Sequence, residues 1–431
     1  MAQLDAASVA TDSQVKVQNL DVVGARDVIP GKDPSAPEET KDENLFGGGG
    51  YLHPYLSVTA RYSDNVYRTR DNTLSDWATI ISPGIWVTVP GRRQSLVSIT
   101  TSTTTPAGLA LFLERPEGFN RYQLYGMYGA DIENYQDYND LDNTKHGGEV
   151  FGQYNLRGGL SLNAYDKYLD SEDPIRFGDS ATIDTFKSNL IGLVADYDIT
   201  QKVGLRVDYN NYVLDYDKDF NVQRNRVDNA ISFYGLYHYS PKTSLFAEYR
   251  FTDISYDTYL LLDSVQHGEY LGLKYKSSEK TTMISKVGAV QKDFEDNSID
   301  STNGLGFELQ LAHAFTEKTS IRAVGQYTPN ETAVSSASHQ DLTNFLLNYS
   351  QLFTDKLTGS IILGYTVNDY VPLTGQEARK DTIYSFSPSL QYAVQEWLLA
   401  ALGYSYIKRD STDLEAEYDE NLFFVRVGVG L

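Results

Sequence analysis

The sequence predicts an all-β fold, a transmembrane antiparallel up-and-down β-barrel of eighteen strands. Three observations predict it. From Tyr51 onward apolar and polar residues alternate, which is the pattern of strands with one dry and one wet face. A polar lysine turn recurs as YSPKTS (239–244), SSEKTT (277–282), FTEKTS (315–320) and FTDKLT (353–358). Lys242, Lys280, Lys318 and Lys356 thus stand 38 residues apart, and Lys202 stands 40 before the first of them. Tyrosine is in surplus, with 33 Tyr against 18 Phe and 3 Trp, and suits places where one end of the ring is dry and the other wet.

Composition narrows the alternatives. Hydrophobic residues make up 41% of the 431 and mean hydropathy is −0.39. No run approaches the ~18 apolar residues of a membrane-spanning helix, whereas barrel strands hide apolar residues by alternation. There is no cysteine, so disulfide and thiol chemistry are excluded. A formal charge of −22 argues against nucleic acid as a partner, because that needs a basic footprint. Met1 is followed directly by AQLDAASVATDS with no apolar core. Met1 is therefore read as a start placed before a processed N-terminus.

Residues 1–50 are polar, end in GGGG, and read as a flexible periplasmic N-terminal segment that could plug the lumen. The barrel occupies 51–431. In its first strand Leu56, Val58, Ala60 and Tyr62 share one face, and Ser57, Thr59, Arg61 and Ser63 the other. Val203, Leu205, Val207 and Tyr209 repeat the pattern after Lys202, as do Leu245, Ala247, Tyr249 and Phe251 after Lys242. Between the strands of each unit lie longer acidic stretches such as DYDKDFNVQRNRVD, KDFEDNSIDSTN and KRDSTDLEAEYDEN. One outward strand, one long loop, one return strand and one tight turn account for the period. Strands are predicted near 52–68, 76–90, 119–136, 146–157, 159–168, 183–199, 202–216, 228–240 and 243–256. The series continues near 267–278, 281–294, 305–316, 319–328, 341–354, 357–369, 382–395, 397–408 and 420–431.

Repeats of this length also occur in propellers, but those pack four strands per blade and bury both faces. Here there are two strands per repeat and one face stays polar. Tyr197, Tyr239 and Tyr275 precede a turn lysine by a few residues, and Tyr209, Tyr249, Tyr327 and Tyr365 follow one. Eight residues of tilted strand climb ~20 Å, close to the ~25 Å band between two aromatic girdles. The chain ends ENLFFVRVGVGL, alternating up to Leu431. That strand needs a partner, because an open edge in lipid costs several kcal/mol per unpaired group. The ending resembles the C-terminal assembly signal of outer-membrane barrels, with Leu431 in place of the more usual aromatic residue.

Residues 53–91 resemble the opening of the putative β-barrel porin type-two family. The resemblance rests on the HP start, the segment Tyr62, Asp64, Asn65, Val66, Tyr67, then Ser75–Asp76 and Ser82–Pro83–Gly84. It implies a Gram-negative outer-membrane barrel, associated in several members with exopolysaccharide synthesis and export. Where the family pattern would enter strand three, RRQSLVSITTSTTTPAGLALFLERPEGF intervenes. The segment at about 92–118 is expected to be a periplasmic excursion or an inward plug, with an extra hairpin making twenty strands as the alternative.

Catalysis is not expected. Of the six histidines His53, His146, His238, His267, His313 and His339, none lies in a Ser or Asp constellation. His146, His267 and His339 fall at or beside long loops, where a lone histidine is usually just solvated. DYNDLDN (137–143) and DFEDNSID (293–300) have carboxylates at spacings calcium could use, but read more simply as solvated loops. No metal or cofactor is predicted.

The polar face carries Arg61, Glu149, Arg157, Lys167, Arg206, Asp208, Glu248, Arg250, Lys274, Glu308, Arg322 and Arg426. Facing lipid at mid-bilayer each Arg would cost ~2–4 kcal/mol, so this face is assigned to the lumen, with neighbouring charges paired across the sheet. The expected function is an outer-membrane channel, in first place an exit route for a secreted polysaccharide. The alternatives are a diffusion porin for small hydrophilic solutes and a structural or adhesive surface barrel. The expected partners are outer-membrane lipid and lipopolysaccharide, with a polysaccharide and periplasmic export components under the export reading.

Overall fold

A computed structural model of the chain describes residues 52–89, 121–173, 184–217, 222–278, 280–332, 334–395 and 397–430. Within them eighteen strands follow one another: β1 Leu52–Ser63, β2 Asp76–Val89, β3 Tyr122–Tyr135, β4 Asn143–Asn155, β5 Leu160–Asp173 and β6 Asp184–Asp198. Then come β7 Val203–Tyr216, β8 Arg226–Ser240, β9 Thr243–Tyr256, β10 Ser264–Ser278, β11 Thr281–Phe294 and β12 Thr302–Thr316. The last six are β13 Thr319–Asn330, β14 Ala337–Thr354, β15 Leu357–Pro372, β16 Arg379–Gln395, β17 Leu398–Ser411 and β18 Tyr418–Gly430.

Every strand pairs antiparallel with its sequence neighbours, and β18 pairs with β1 from Tyr55↔Gly430 to Ser63↔Leu422. The cylinder is closed. β2 and β3 pair directly, between Ala78↔Tyr135 and Val89↔Leu124. That ladder decides between eighteen and twenty strands, because it leaves no edge for another hairpin. The expectations for residues 1–50 and 92–118 lie outside the described residues.

The strands outrun the alternation at the long-loop end. β5 continues to Asp173, β14 starts at Ala337 and β17 continues to Ser411. Above the apolar band both faces are wet, so the pattern fades while backbone pairing persists. The acidic stretches are therefore shortened to connections such as 257–263 and 412–417. β1 alone stops early, at Ser63, because Asp64–Thr69 folds back on itself.

The lysine turns share one local device. A Ser or Thr hydroxyl two residues earlier accepts from the lysine N–H: Thr200 for Lys202 at 3.1 Å, Ser240 for Lys242 at 3.2 Å, Thr316 for Lys318 at 3.1 Å and Thr354 for Lys356 at 3.3 Å. Such side-chain turns fix the reversal locally. Each lysine carbonyl then accepts from the strand closing the next hairpin, as Lys242 does from Lys276 and Lys318 from Leu352. Lys202 and Lys356 also donate Nζ to the carbonyls of Tyr239 and Val394. The repeat is thus a stitch that joins each rim turn to the following one.

Side-chain direction follows the alternation. Leu56, Leu193, Leu245, Leu271, Leu305 and Val425 point outward and are exposed, Leu271 at 69%. Strand neighbours such as Ser57 and Val194 point inward and are covered, at 1% and 3%. Aliphatic rows outside and polar groups inside is the arrangement of a barrel standing in lipid. Tyr197, Tyr209, Tyr239, Tyr249 and Tyr365 are exposed on the outer face, while Tyr275 and Tyr327 are half-buried there.

The first hairpin forms the seam. Asp64 accepts from Asn421 N at 2.7 Å and Nδ2 at 2.8 Å, and Asn65 donates Nδ2 to the carbonyls of Asp419 at 2.9 Å and Thr69 at 2.8 Å. Ser63 donates to Glu420 at 2.7 Å, and Tyr67 donates to Asp140. Tyr55 lies flat over Gly84, its direct partner, where a Cβ would meet the ring at 2.2 Å. Glycine is required there by that close approach.

Replacing Asn65 with Ala removes the Nδ2 bridge between β1 and β18 and should cost ~1–3 kcal/mol. The expected result is a lower temperature at which the folded, fast-migrating band on unheated gels converts to the unfolded one. An unchanged conversion temperature would refute the clasp.

Candidate functional site

The candidate site is the lumen wall, made by alternate residues of each strand. Because the interior is partly dry, its charges must find partners. Arg61 on β1 donates to Glu133 on β3 at 3.0 Å, and Lys145 on β4 donates to the other oxygen at 2.8 Å. Lys167 lies 3.6 Å from Glu149. Arg206 binds Asp208 at 2.6 Å, and Arg226 lies 3.3 Å from Asp228. Glu248 receives Arg250 at 2.6 Å and Lys286 at 2.7 Å, and Lys286 also lies 3.3 Å from Glu308. Near the mouth Asp381 receives Arg379 at 2.9 Å as well as Arg409 and Ser411, and Arg68 donates to Glu420 at 3.0 Å.

Aromatic rings cover these charges. The guanidinium of Arg226 lies 5.7 Å from the Tyr212 ring centre, that of Arg206 5.6 Å from Tyr234, and Lys286 Nζ 4.2 Å from Tyr270. Such contacts are worth ~0.5–2 kcal/mol. An inward cluster of Tyr125, Phe151, Tyr165, Phe186, Leu190, Tyr212, Leu214 and Tyr216 spans β3–β7. The rings fit because glycines face them: Tyr165 lies over Gly192, and Phe246 over Gly272, where a Cβ would come within 2.1 Å in each case.

The mouth is narrowed by the segment joining β13 to β14. Glu331, Thr332 and Val334 are buried. Glu331 accepts from Lys292 on β11 and from the Tyr256 hydroxyl on β9, and its carbonyl accepts from Gln340 at 3.1 Å. Arg224, in the segment between β7 and β8, donates Nη2 to the carbonyls of Val334 at 2.5 Å and Ala337 at 3.1 Å. The β7–β8 and β13–β14 connections are six strands apart around the wall, so this contact reaches across the opening. Ile254, Tyr256 and Leu262 pack beneath it with Tyr259, Phe294 and Leu373.

The structure turns most of the residues assigned to the polar face inward. Arg61, Glu149, Lys167, Arg206, Asp208, Glu248, Arg250 and Glu308 are inward and ion-paired. Arg426 is inward and donates to Thr59 at 2.9 Å. Lys274 and Arg322 lie inward by register, opposite Ser244 and Asn348 respectively. Arg157 does not line the wall. It is exposed in the turn between β4 and β5, where Leu156 N donates to Leu160 O at 2.8 Å and Gly159 has φ +87°. The Gly158–Gly159 reversal ends β4 two residues before Arg157.

Three elements were missed. The inward aromatics share faces with charges, as Phe246 and Tyr256 do with Glu248 and Arg250, so they dropped out of a polar-face reading. Lys292 and Arg226 sit at strand ends where alternation fades. The buried Glu331 follows Pro329 in a mixed segment, PNETAVSSA, that carries no local signal of its partners.

Two loop expectations change. His339 is buried against Phe294, with ring centres 5.8 Å apart, because β14 extends past it. His146 and His267 stand on strands, accepting or donating at Nδ1 with the hydroxyls of Tyr128 and Tyr249, each at 2.9 Å. In the acidic loops Asp142 accepts from Tyr135 N at 2.7 Å, as Asp263 does from Tyr256 N. Those carboxylates cap strand ends. Among the described residues no three His, Asp or Glu are grouped to hold a metal.

A family profile described as putative beta-barrel porin 2 matches residues 116–430, leaving out the first hairpin. Among solved structures, the chain is similar to OccK3 (OpdO) of Pseudomonas aeruginosa at 13% identity, over 88% of this chain and 95% of that one, with a TM-score of 0.41. It is also similar to the outer membrane protein opdK of the same organism, at 11% identity over 88% and 99%, TM-score 0.44. For OccAB4 of Acinetobacter baumannii the values are 12%, 88%, 98% and 0.41. No curated protein matches the chain.

Burial alone would raise the Glu331 carboxyl, but Lys292 and Arg226 outweigh it and hold the group below the usual carboxylate range. A depressed folded value means its contribution is present above the ordinary carboxylate pKa and is lost as pH falls through the lower folded one. The mouth segment should therefore stay seated through ordinary carboxylate titration and release only at more acid pH. Glu331→Ala leaves Lys292 buried without its acid, a change typically costing ~3–5 kcal/mol, and should unseat the segment at neutral pH. Single-channel conductance is expected to rise in this variant, and equal conductance would refute the seating.

Proposed function

The chain belongs to the family described as putative beta-barrel porin 2, and from that premise, a porin-like channel of the Gram-negative outer membrane, we propose that it passes small hydrophilic solutes. The observation that carries this is the β13–β14 segment seated in the mouth by Lys292, Tyr256 and Arg224. A buried segment bonded to a connection a third of the way round the opening reduces the cross-section, and the reduction bears far more heavily on a polymer than on a small molecule. The wall supports the same reading. Its acids and bases are largely paired with one another, so it presents a polar surface of low net charge, over which a hydrated neutral solute meets no strong barrier.

The lumenal tyrosines favour the polysaccharide exit, because sugar C–H faces pack on aromatic rings. Here, however, Tyr212, Tyr234 and Tyr270 are covered, with Arg226, Arg206 and Lys286 against them. That weighs toward the small solute.

Purified protein in liposomes tests the reading by osmotic swelling with sugars of graded size. Mono- and disaccharides are expected to enter, with rates falling steeply for longer oligosaccharides. Equal rates for a disaccharide and a long dextran would overturn it in favour of a polymer route.

A further inference from the structure

Four adjacent strands, β12 to β15, form an almost uncharged panel of the lumen. Their inward positions carry residues such as Gln310, Gln326, Asn344, Asn348, Ser350, Ser360 and Thr366. On this panel the only inward acid is Glu308 and the only inward base is Arg322. Glu308 is held by Lys286 at 3.3 Å. It also stands four ladder positions from Ala312, the residue opposite Arg322 on β12, which is ~13 Å along the strand.

Arg322 is half-buried. Its neighbours across the two ladders are Ala312 and Asn348, neither of them acidic. The ion pairs that satisfy Arg61, Arg206, Arg226, Arg250, Arg379 and Arg409 have no counterpart here. Among the described residues this guanidinium has neither a hydrogen-bond nor an ion-pair partner. A cation kept in a partly dry wall without an acid is costly, and an intramembrane charge facing a lumen ordinarily marks the path of an ion or substrate. Beside it across the ladder, the Asn348 Oδ1 is buried without a partner. Arg322 stands three residues into β13, near the lysine-turn rim and at the opposite end from the seated mouth segment.

We propose that Arg322 is a specificity-determining residue of the channel, a contact point where small carboxylate solutes bind on the lumen wall. The planar guanidinium offers parallel donors matched to two carboxylate oxygens, and the neutral panel provides no competing acid within reach. The mouth-side wall, whose charges are paired, admits the solute, and Arg322 then distinguishes carboxylates from neutral molecules of the same size. The proposal rests on the reading of the chain as a small-solute channel.

Two measurements separate the proposal from that reading. Saturation-transfer NMR with butyrate on the detergent-solubilised barrel reads the site whether or not the protein conducts. The butyrate signal is expected in the wild type and in Arg322→Lys, and lost in Arg322→Gln. An equal signal in Arg322→Gln, or none in the wild type, overturns the proposal. Arg157→Gln, in the exposed turn, serves as the control, and heat-dependent gel migration confirms that each variant is folded. In planar bilayers Arg322→Gln is expected to lower the butyrate-to-potassium permeability ratio about sevenfold, because one unit charge ~7 Å away in a water-like dielectric shifts the anion and the cation about threefold each in opposite directions. A conducting barrel whose ratio is unchanged removes the selecting role. A barrel that does not conduct sinks the channel reading, and the NMR result alone then decides Arg322.

Discussion

A backbone amide in hydrocarbon has no water to turn to, and leaving one unpaired costs several kcal/mol. In a cylinder built from consecutive hairpins that demand is met locally everywhere except at one place, where the last strand must find the first across the length of the chain. Here β18 meets β1 over nine register pairs, and polar side chains fasten the join above them. Asp64, Asn65 and Ser63 bind Asn421, Asp419 and Glu420. The motif residues of the first hairpin are therefore explained by closure. They stand where the only long-range pairing of the barrel begins, and their chemistry is that of side chains bonding to a neighbouring backbone.

A second constraint follows from the first. Once the outer face is given to lipid, the arginines of the spanning strands turn inward, where water is limited and aromatic side chains compete for space. Buried ion pairs roughly break even against apolar packing, so the Arg61–Glu133–Lys145 and Arg250–Glu248–Lys286 groups are poor candidates for sources of stability. Their effect is electrostatic neutrality. Tyr212, Tyr234 and Tyr270 lie against the cations, and glycines on the next strand make room for such rings, as Gly192 does for Tyr165. The wall is a mosaic of paired charges and rings, and any charge left outside this pattern stands out.

How far this was legible depends on which force acted locally. Strand positions were readable because lipid enforces strict alternation, and the outward rows at Leu56, Leu193 and Leu245 obey it. The rim turns were readable because a hydroxyl two residues before a lysine fixes the reversal within a few residues. Strand ends were not, since pairing continues above the apolar band with both faces wet. Arg157 was misplaced because Leu156 and Arg157 continue the alternation while Gly158–Gly159 has already reversed the chain. The seated mouth segment was illegible for a deeper reason. Glu331 meets Lys292 and Tyr256, and Arg224 meets Val334, only after the cylinder has closed, and no local pattern in 329–337 encodes partners that far away in sequence.

The 38-residue interval itself records the height of the cylinder. Two strands, one rim turn and one mouth connection repeat, and a shorter strand is offset by a longer one, as β13 with 12 residues is by β14 with 18, because the apolar band that the pair must cross has one height. The interval holds from Lys242 to Lys356, where turn follows turn by one stitch, the carbonyl of each lysine accepting from the hairpin after it. The 92–118 stretch does not disturb it. Its flanking strands β2 and β3 both end at the lysine-turn rim and pair directly, so chain inserted there lengthens neither strand and shifts no register. Insertions inside a strand would do both. The fold therefore tolerates elaboration at its rims, and the wall, where Arg322 and the paired charges stand, keeps a fixed geometry.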